Sequence, residues 1–177
     1  VIDATGLYVM PGIVDAHSDM AITGGGNESS EAVTPEVRID DVINHRDPAI
    51  FRALAGGATT VNVLHGSANV VGGQNAVLKL RWGKPAAELF FEDAPRGVKF
   101  ALGENPKRSN RPTPRDGQRR YPATRMGVEH LLRTSFEDAR RYRSAHAGYA
   151  AARARGEDPP PPRRNLRLEA LGDILDG

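Results

Sequence analysis

Residues Pro11 to Asp19 read PGIVDAHSD, an apolar, strand-like run that closes on three polar side chains, Asp15, His17 and Asp19. Side chains alternate along a strand, so these three fall on one face and a strand end would present them together. Imidazole nitrogen and carboxylate oxygen both suit a borderline divalent ion such as zinc, which makes His17 and Asp19 candidates to share one cation at the mouth of a sheet or barrel. The same spacing also describes a strand that simply meets solvent at a polar turn.

Upstream, Val1 to Tyr8 reads as a turn around Gly6 feeding a strand whose apolar core is Val9, Met10, Ile13 and Val14, interrupted by Pro11 and Gly12. Downstream, TGGGNESSEAVTPEV, residues 23 to 37, is rich in Gly, Ser and Glu and predicts a long loop, the kind that often carries function. Asp47 before Pro48 predicts a helix cap and first helical residue, with Ile50, Phe51 and Leu54 as the apolar face and Gly56-Gly57 as the stop. The β-branched and apolar run Ala58 to Leu64 then predicts a buried strand with His65 at its end.

His65 to Gln74, HGSANVVGGQ, reads as a second Gly-rich loop, and it lacks the Gly-Lys-Ser/Thr ending of a phosphate loop. Ala76 to Trp82 and Gly97 to Leu102 read as further strands, followed by a polar connection, GENPKRSNRPTPRDGQRRYP, expected to be irregular. From Thr124 to about Arg155, Met126, Val128, Leu131, Leu132, Phe136, Ala139 and Tyr142 mark a helical stripe. A polyproline break at Pro159 to Pro162 precedes a short helix on Leu166, Leu168, Leu171, Ile174 and Leu175.

This alternation is that of a parallel α/β architecture, in which chemistry sits at the C-terminal ends of strands, where His17 and His65 both lie. The 177 residues suffice for one ordinary domain, and 39% hydrophobic with 26% charged residues fits a soluble globular class. Apolar runs are too short for a membrane span. The absence of cysteine turns any metal site toward His, Asp, Glu or Lys. Residues 107 to 164 hold 15 Lys and Arg against 6 Asp and Glu, but they are interspersed with Ala, Pro and Glu and carry no nucleic-acid motif, so they read as a solvated helical face. The opening VIDATGLYV has neither an initiator Met nor a basic leader, so the chain is expected to be a piece of a longer protein.

The segment IDATGLYVMPGIVDAHSDM resembles the first barrel strand of the amidohydrolase superfamily, where a PG pair and Ile/Val-Asp lead into His-x-His. LAGGATTV is similar to its second-strand entry, and HGSANVVGGQ, KFALGEN and RYPATRMGVE resemble the imidazolonepropionase-like and prolidase-like branch. The resemblance implies a partial (β/α)8 TIM-type barrel with roughly the first half of the strands. Residues 1 to 8 would end a preceding β-sandwich and residues 9 to 177 would form the N-terminal half of the barrel, with a loop- and Arg-rich insertion at about 104 to 164.

It further implies metal-dependent hydrolysis of an amide or cyclic amide carbon–nitrogen bond in a small-molecule or peptide-like substrate, with no nucleic-acid or membrane partner. The fragment alone would be inactive, because the general-base Asp and the remaining metal-binding histidines would lie later in the parent. The implied metal set is His17, Asp19 and Lys99, the last as the lysine that some members carboxylate; an outward-facing strand lysine is the other reading of Lys99. His65, Asn69 and Gln74 are the substrate-side candidates, with His65 also readable as a hydrogen-bonded residue under a loop. Glu104 is weaker, and His45, His130 and His146 are assigned no chemistry. Asp19 departs from the family by replacing the second His, which leaves open a noncatalytic relative that binds a ligand or partner.

Overall fold

A computed structural model describes residues 1–109 and 120–177. Five strands and three helices follow one another as β1 (Ile13–Ser18), α1 (Pro48–Ala55), β2 (Ala58–Val63), β3 (Val71–Gln74), β4 (Ala76–Lys79), β5 (Val98–Phe100), α2 (Arg125–Ala154) and α3 (Leu166–Asp176). They form two small sheets, one ordered β1-β2-β4 and one pairing β3 with β5. The parallel sheet expected from the alternation is confined to β1 and β2. β4 runs antiparallel to β2, and β5 antiparallel to β3. The connection from β2 to β4 carries no helix, and a return without a helical crossover suits an antiparallel neighbour.

The first unit is β1-α1-β2. Asp47 caps α1 by accepting from the Ala49 N–H at 2.9 Å, Pro48 occupies the first turn, and Gly57 at φ 91° lets the chain reverse directly into β2. Gly12 is also required: a Cβ there would lie 2.1 Å from Thr59 Oγ1, so the PG pair lets the chain pass close to β2. Ile50, Val61, Val63, Ala76, Leu78 and Leu89 pack as one core under this sheet. Phe51 does not join them; it is exposed and lies against Trp82 with ring centroids 6.0 Å apart.

A second core joins β3, α2 and α3 through Val33, Val70, Val71, Val128, Ala139 and Leu171. Phe100 of β5 stacks on Phe136 of α2 at 6.3 Å. α2 starts at Thr124, whose side chain accepts from the Gly127 N–H, and runs for 30 residues. The helix expected from Thr124 to about Arg155 is therefore present, and it occupies much of the segment assigned to a loop- and Arg-rich insertion. Met126, placed on its apolar stripe, is exposed. Arg133 pairs with Glu129, and Arg141 with Glu137 and Asp138, one turn apart on the solvent side. Residues 110–119 of the expected irregular connection lie outside the described residues. Among the described residues, no helix is long and apolar enough to cross a membrane.

Val71 to Gln74, read as the end of a Gly-rich loop, is strand β3, and the loop read over residues 23 to 37 lies against it. The Thr34 N–H donates to Val71 O at 2.9 Å, the Gln74 N–H donates to Val37 O at 2.9 Å, and Val33 bridges Val71 in parallel.

Asp47 has a second role, since its other carboxylate oxygen accepts from the Ala21 N–H at 2.8 Å and so ties the end of β1 to α1. Asp47→Ala is expected to destabilise the fold by about 1–2 kcal/mol, the usual range for a lost cap. A urea midpoint equal to that of the unaltered protein would contradict both roles.

Candidate functional site

His17 is the fifth residue of β1 and is exposed, while Ser18 beside it is buried and its carbonyl accepts from the Leu64 N–H at 3.1 Å. The β1–β2 register is irregular between Asp15 and Ser18. Asp15 accepts from the His17 N–H at 3.1 Å, a local turn-like contact that helps shape the strand end. Across the mouth, Lys99 of β5 places Nζ 3.2 Å from His17 Nε2. Two residues chosen for metal chemistry, 82 positions apart, thus meet at one strand end.

Asp19 lies just past β1 and is exposed. Among the described residues no hydrogen bond or ion pair joins it to His17 or Lys99, and no group of three or more His, Asp or Glu side chains is gathered to hold a metal. The alternation that would have set Asp19 beside His17 ends with the strand at Ser18.

The three residues expected on the substrate side form a different constellation. His65 is 2% exposed, and both ring nitrogens are engaged: Nε2 accepts from the Glu28 N–H at 2.8 Å and Nδ1 lies 2.9 Å from Gly66 O. These contacts require the neutral ring with its proton on Nδ1. Asn69, fully buried, donates from Nδ2 to Glu28 O at 2.5 Å and to Thr34 Oγ1 at 2.6 Å. Gln74 donates to Pro35 O at 2.9 Å and accepts from Arg96 at 3.3 Å. All three therefore fasten the 26–37 segment onto β3 and the turn before it.

Two residues not singled out from the sequence complete this clamp. Asn27 accepts from the Ala68 N–H at 3.0 Å, and the Arg120 guanidinium donates to Ser29 O and Glu31 O on one side and to Ala68 O at 2.6 Å on the other. A half-buried arginine facing several carbonyls has no short-range signature, since its partners lie roughly 50 and 90 residues away. Gly72 and Gly73 acquire a reason as well. A Cβ on Gly72 would approach His65 Nδ1 to 2.6 Å, so this glycine makes room for the imidazole, while one on Gly73 would lie 2.7 Å from Val37 O, so that glycine lets the 26–37 segment pass close to β3.

Burial holds the His65 pKa below its ordinary 6.5; the bond to Gly66 O and the charge of Glu28 oppose this, and the nearby charge of Lys99 adds to it. The unfolded chain therefore takes up a proton at a pH where the folded one does not. The stability contributed by neutral His65 is fully present above pH 6.5 and is lost as pH falls below that value toward the folded pKa. The protection of the Glu28 amide, its exchange rate corrected for the intrinsic pH dependence, is expected to fall on acidification through this window, with His65→Gln removing that fall. A Glu28 exchange profile with the same pH dependence in both proteins would refute the assignment.

No protein-family model matches the chain. It is 32% identical over 156 residues to Amidohydrolase tasK of Hapsidospora irregularis, across 78% of this chain and 15% of that protein. Its structure is similar to the crystal structure of an amidohydrolase from Thermotoga maritima MSB8, with a TM-score of 0.77 and 37% identity over 94% of this chain and 43% of that one. The chain thus spans less than half the length of either relative. Both relatives are named amidohydrolases, and these similarities support the amidohydrolase superfamily.

Proposed function

We propose that the whole protein is a metal-dependent hydrolase of carbon–nitrogen bonds in an amide or cyclic amide, of the imidazolonepropionase-like and prolidase-like branch. In this reading the chain builds roughly the first half of a (β/α)8 barrel. The observation that carries the proposal is the 3.2 Å approach of Lys99 Nζ to His17 Nε2 at the C-terminal end of β1. The open side of β1 supports the barrel, because Ile13 and Val14 are 50% and 66% exposed there and β2 is the neighbour that β1 has among the described strands.

The two nitrogens that the structure brings together, on the His17 imidazole and on Lys99, are donor types that suit a divalent cation such as zinc, and the Asp19 carboxylate just beyond the strand would have to turn toward them to complete the set. As an ammonium, Lys99 would repel a cation. It becomes a ligand as the free amine, or as the carbamate formed when Nζ adds CO2 and releases a proton. A bound divalent ion would supply an activated water and polarise the scissile carbonyl. His17 serves as one ligand, held at the strand end by β1–β2 pairing and the Asp15 contact. Proton removal falls to a carboxylate from a later part of the protein.

Asp19 favours a second reading, a noncatalytic relative that keeps the fold and binds a ligand, since a short carboxylate replaces the imidazole of the family pattern. Metal content of the purified whole protein separates the two. His17→Ala is expected to lose most of the bound zinc, and equal metal in both proteins would end the role given to His17. Asp19→His tests the second reading: a large gain in metal or in amide hydrolysis would mark the natural protein as drifted from catalysis, whereas no gain would leave Asp19 as a competent ligand of a working site.

A further inference from the structure

His17 and Lys99 belong to different sheets, so no shared ladder of strand pairing sets the distance between them. A hydrogen-bonded chain of two asparagines spans the gap. The Gly97 N–H, two residues before Lys99, donates to Asn75 Oδ1 at 2.6 Å; Asn75 Nδ2 donates to Asn62 Oδ1 at 2.7 Å; and Asn62 Nδ2 donates to the carbonyl of Ala16, next to His17, at 3.3 Å. The Asn75 N–H closes the near end by donating to Gly97 O at 3.0 Å. Asn75 is also the single residue between β3 and β4, where the chain passes from one sheet to the other.

We propose that Asn62 and Asn75 are positioning residues that set the separation of His17 and Lys99. The three bonds in series, Gly97 to Asn75, Asn75 to Asn62 and Asn62 to Ala16, all donate in the direction from β5 toward β1. The two ends dictate this, because one end offers an N–H and the other a carbonyl. Flipping the Asn75 amide would set its NH2 against the Gly97 N–H, and flipping Asn62 would set oxygen against Ala16 O. Each side chain must therefore accept on one side and donate on the other, which a primary amide does and a carboxylate does not. Bonds aligned in series also polarise one another, so the two asparagines act as one strut. Both are half-buried, and the bonds from Gly97 to Asn75 and from Asn75 to Asn62 are partly shielded from water, while the one to Ala16 O is exposed.

For its bearing on catalysis the inference rests on the metal-site reading above, and the test separates the two. Asn75→Asp keeps the acceptor for Gly97 and places an anionic oxygen against Asn62 Oδ1; Asn62→Asp cuts the strut at the other end and serves where the first variant does not fold. In the whole protein, either change is expected to weaken zinc affinity by about 10- to 100-fold, as loss of a ligand's supporting contact does, while the thermal midpoint of the metal-free protein stays close to that of the unaltered one. An unchanged affinity in the folded variants would overturn the assignment. So would a loss of affinity matched by a general collapse of the midpoint.

If the unaltered protein takes up no zinc, the metal reading fails by itself and the strut is judged in metal-free protein. At fixed pH, the 15N resonance of His17 Nε2 is expected to move on Lys99→Met, and that response is expected to vanish in an Asn75→Asp background. A response of the same size in both backgrounds would overturn the proposal.

Discussion

Between Val71 and Ala76 the chain leaves one hydrophobic core and enters the other. Val70 and Val71 pack with α2 and α3, whereas Ala76, Leu78 and Leu80 pack under β1, β2 and α1. One extended segment is thus anchored at both ends by burial, and at Asn75, the residue between β3 and β4, it passes from one sheet to the other. Each buried aliphatic side chain contributes on the order of 1.5–3 kcal/mol, so neither anchor is free to slide. A one-residue slip would also swap the faces of the strand. The meeting of β1 and β5 at the candidate site follows from that corner.

The segment from 26 to 37 shows how polar groups complete what burial begins. A long loop lying against a sheet must find partners for its peptide groups, and here His65, Asn69, Gln74 and Arg120 supply them. The same segment reaches α3, where Arg167 pairs with Glu31 and Glu36, the latter at 3.1 Å. Residues that look like site chemistry in a sequence, a histidine and two amides in a Gly-rich run, are the means by which a loop is held against β3. His17 and Lys99 stand apart from them because they are more accessible and face each other.

Much of the local structure was legible because its signals are short-range. Asp47-Pro48 and Gly56-Gly57 bracket α1, Thr124 opens α2, and β2 follows its β-branched run. The misreadings have physical causes. Val71 to Gln74 was hidden because Gly72 and Gly73 suppress strand propensity, and their purpose, clearance for His65 and for Val37 respectively, is a contact between segments. Phe51 and Met126 satisfy helical periodicity yet remain exposed, since periodicity gives a face and not what covers it. Antiparallel pairing of β4 and β5 depends on neighbours that no local pattern specifies.

For the site the division is similar. The sequence by itself determined that a strand ends in His17 with carboxylates nearby and that Lys99 sits on a later strand, because alternation and β-propensity act over a few residues. Only the tertiary structure decided that His17 and Lys99 lie 3.2 Å apart, that Asp19 falls beyond the strand, and that His65 turns both nitrogens to backbone. Those outcomes depend on where two separate sheets are held by their cores and by the asparagines between them, and that placement is a property of long-range packing alone.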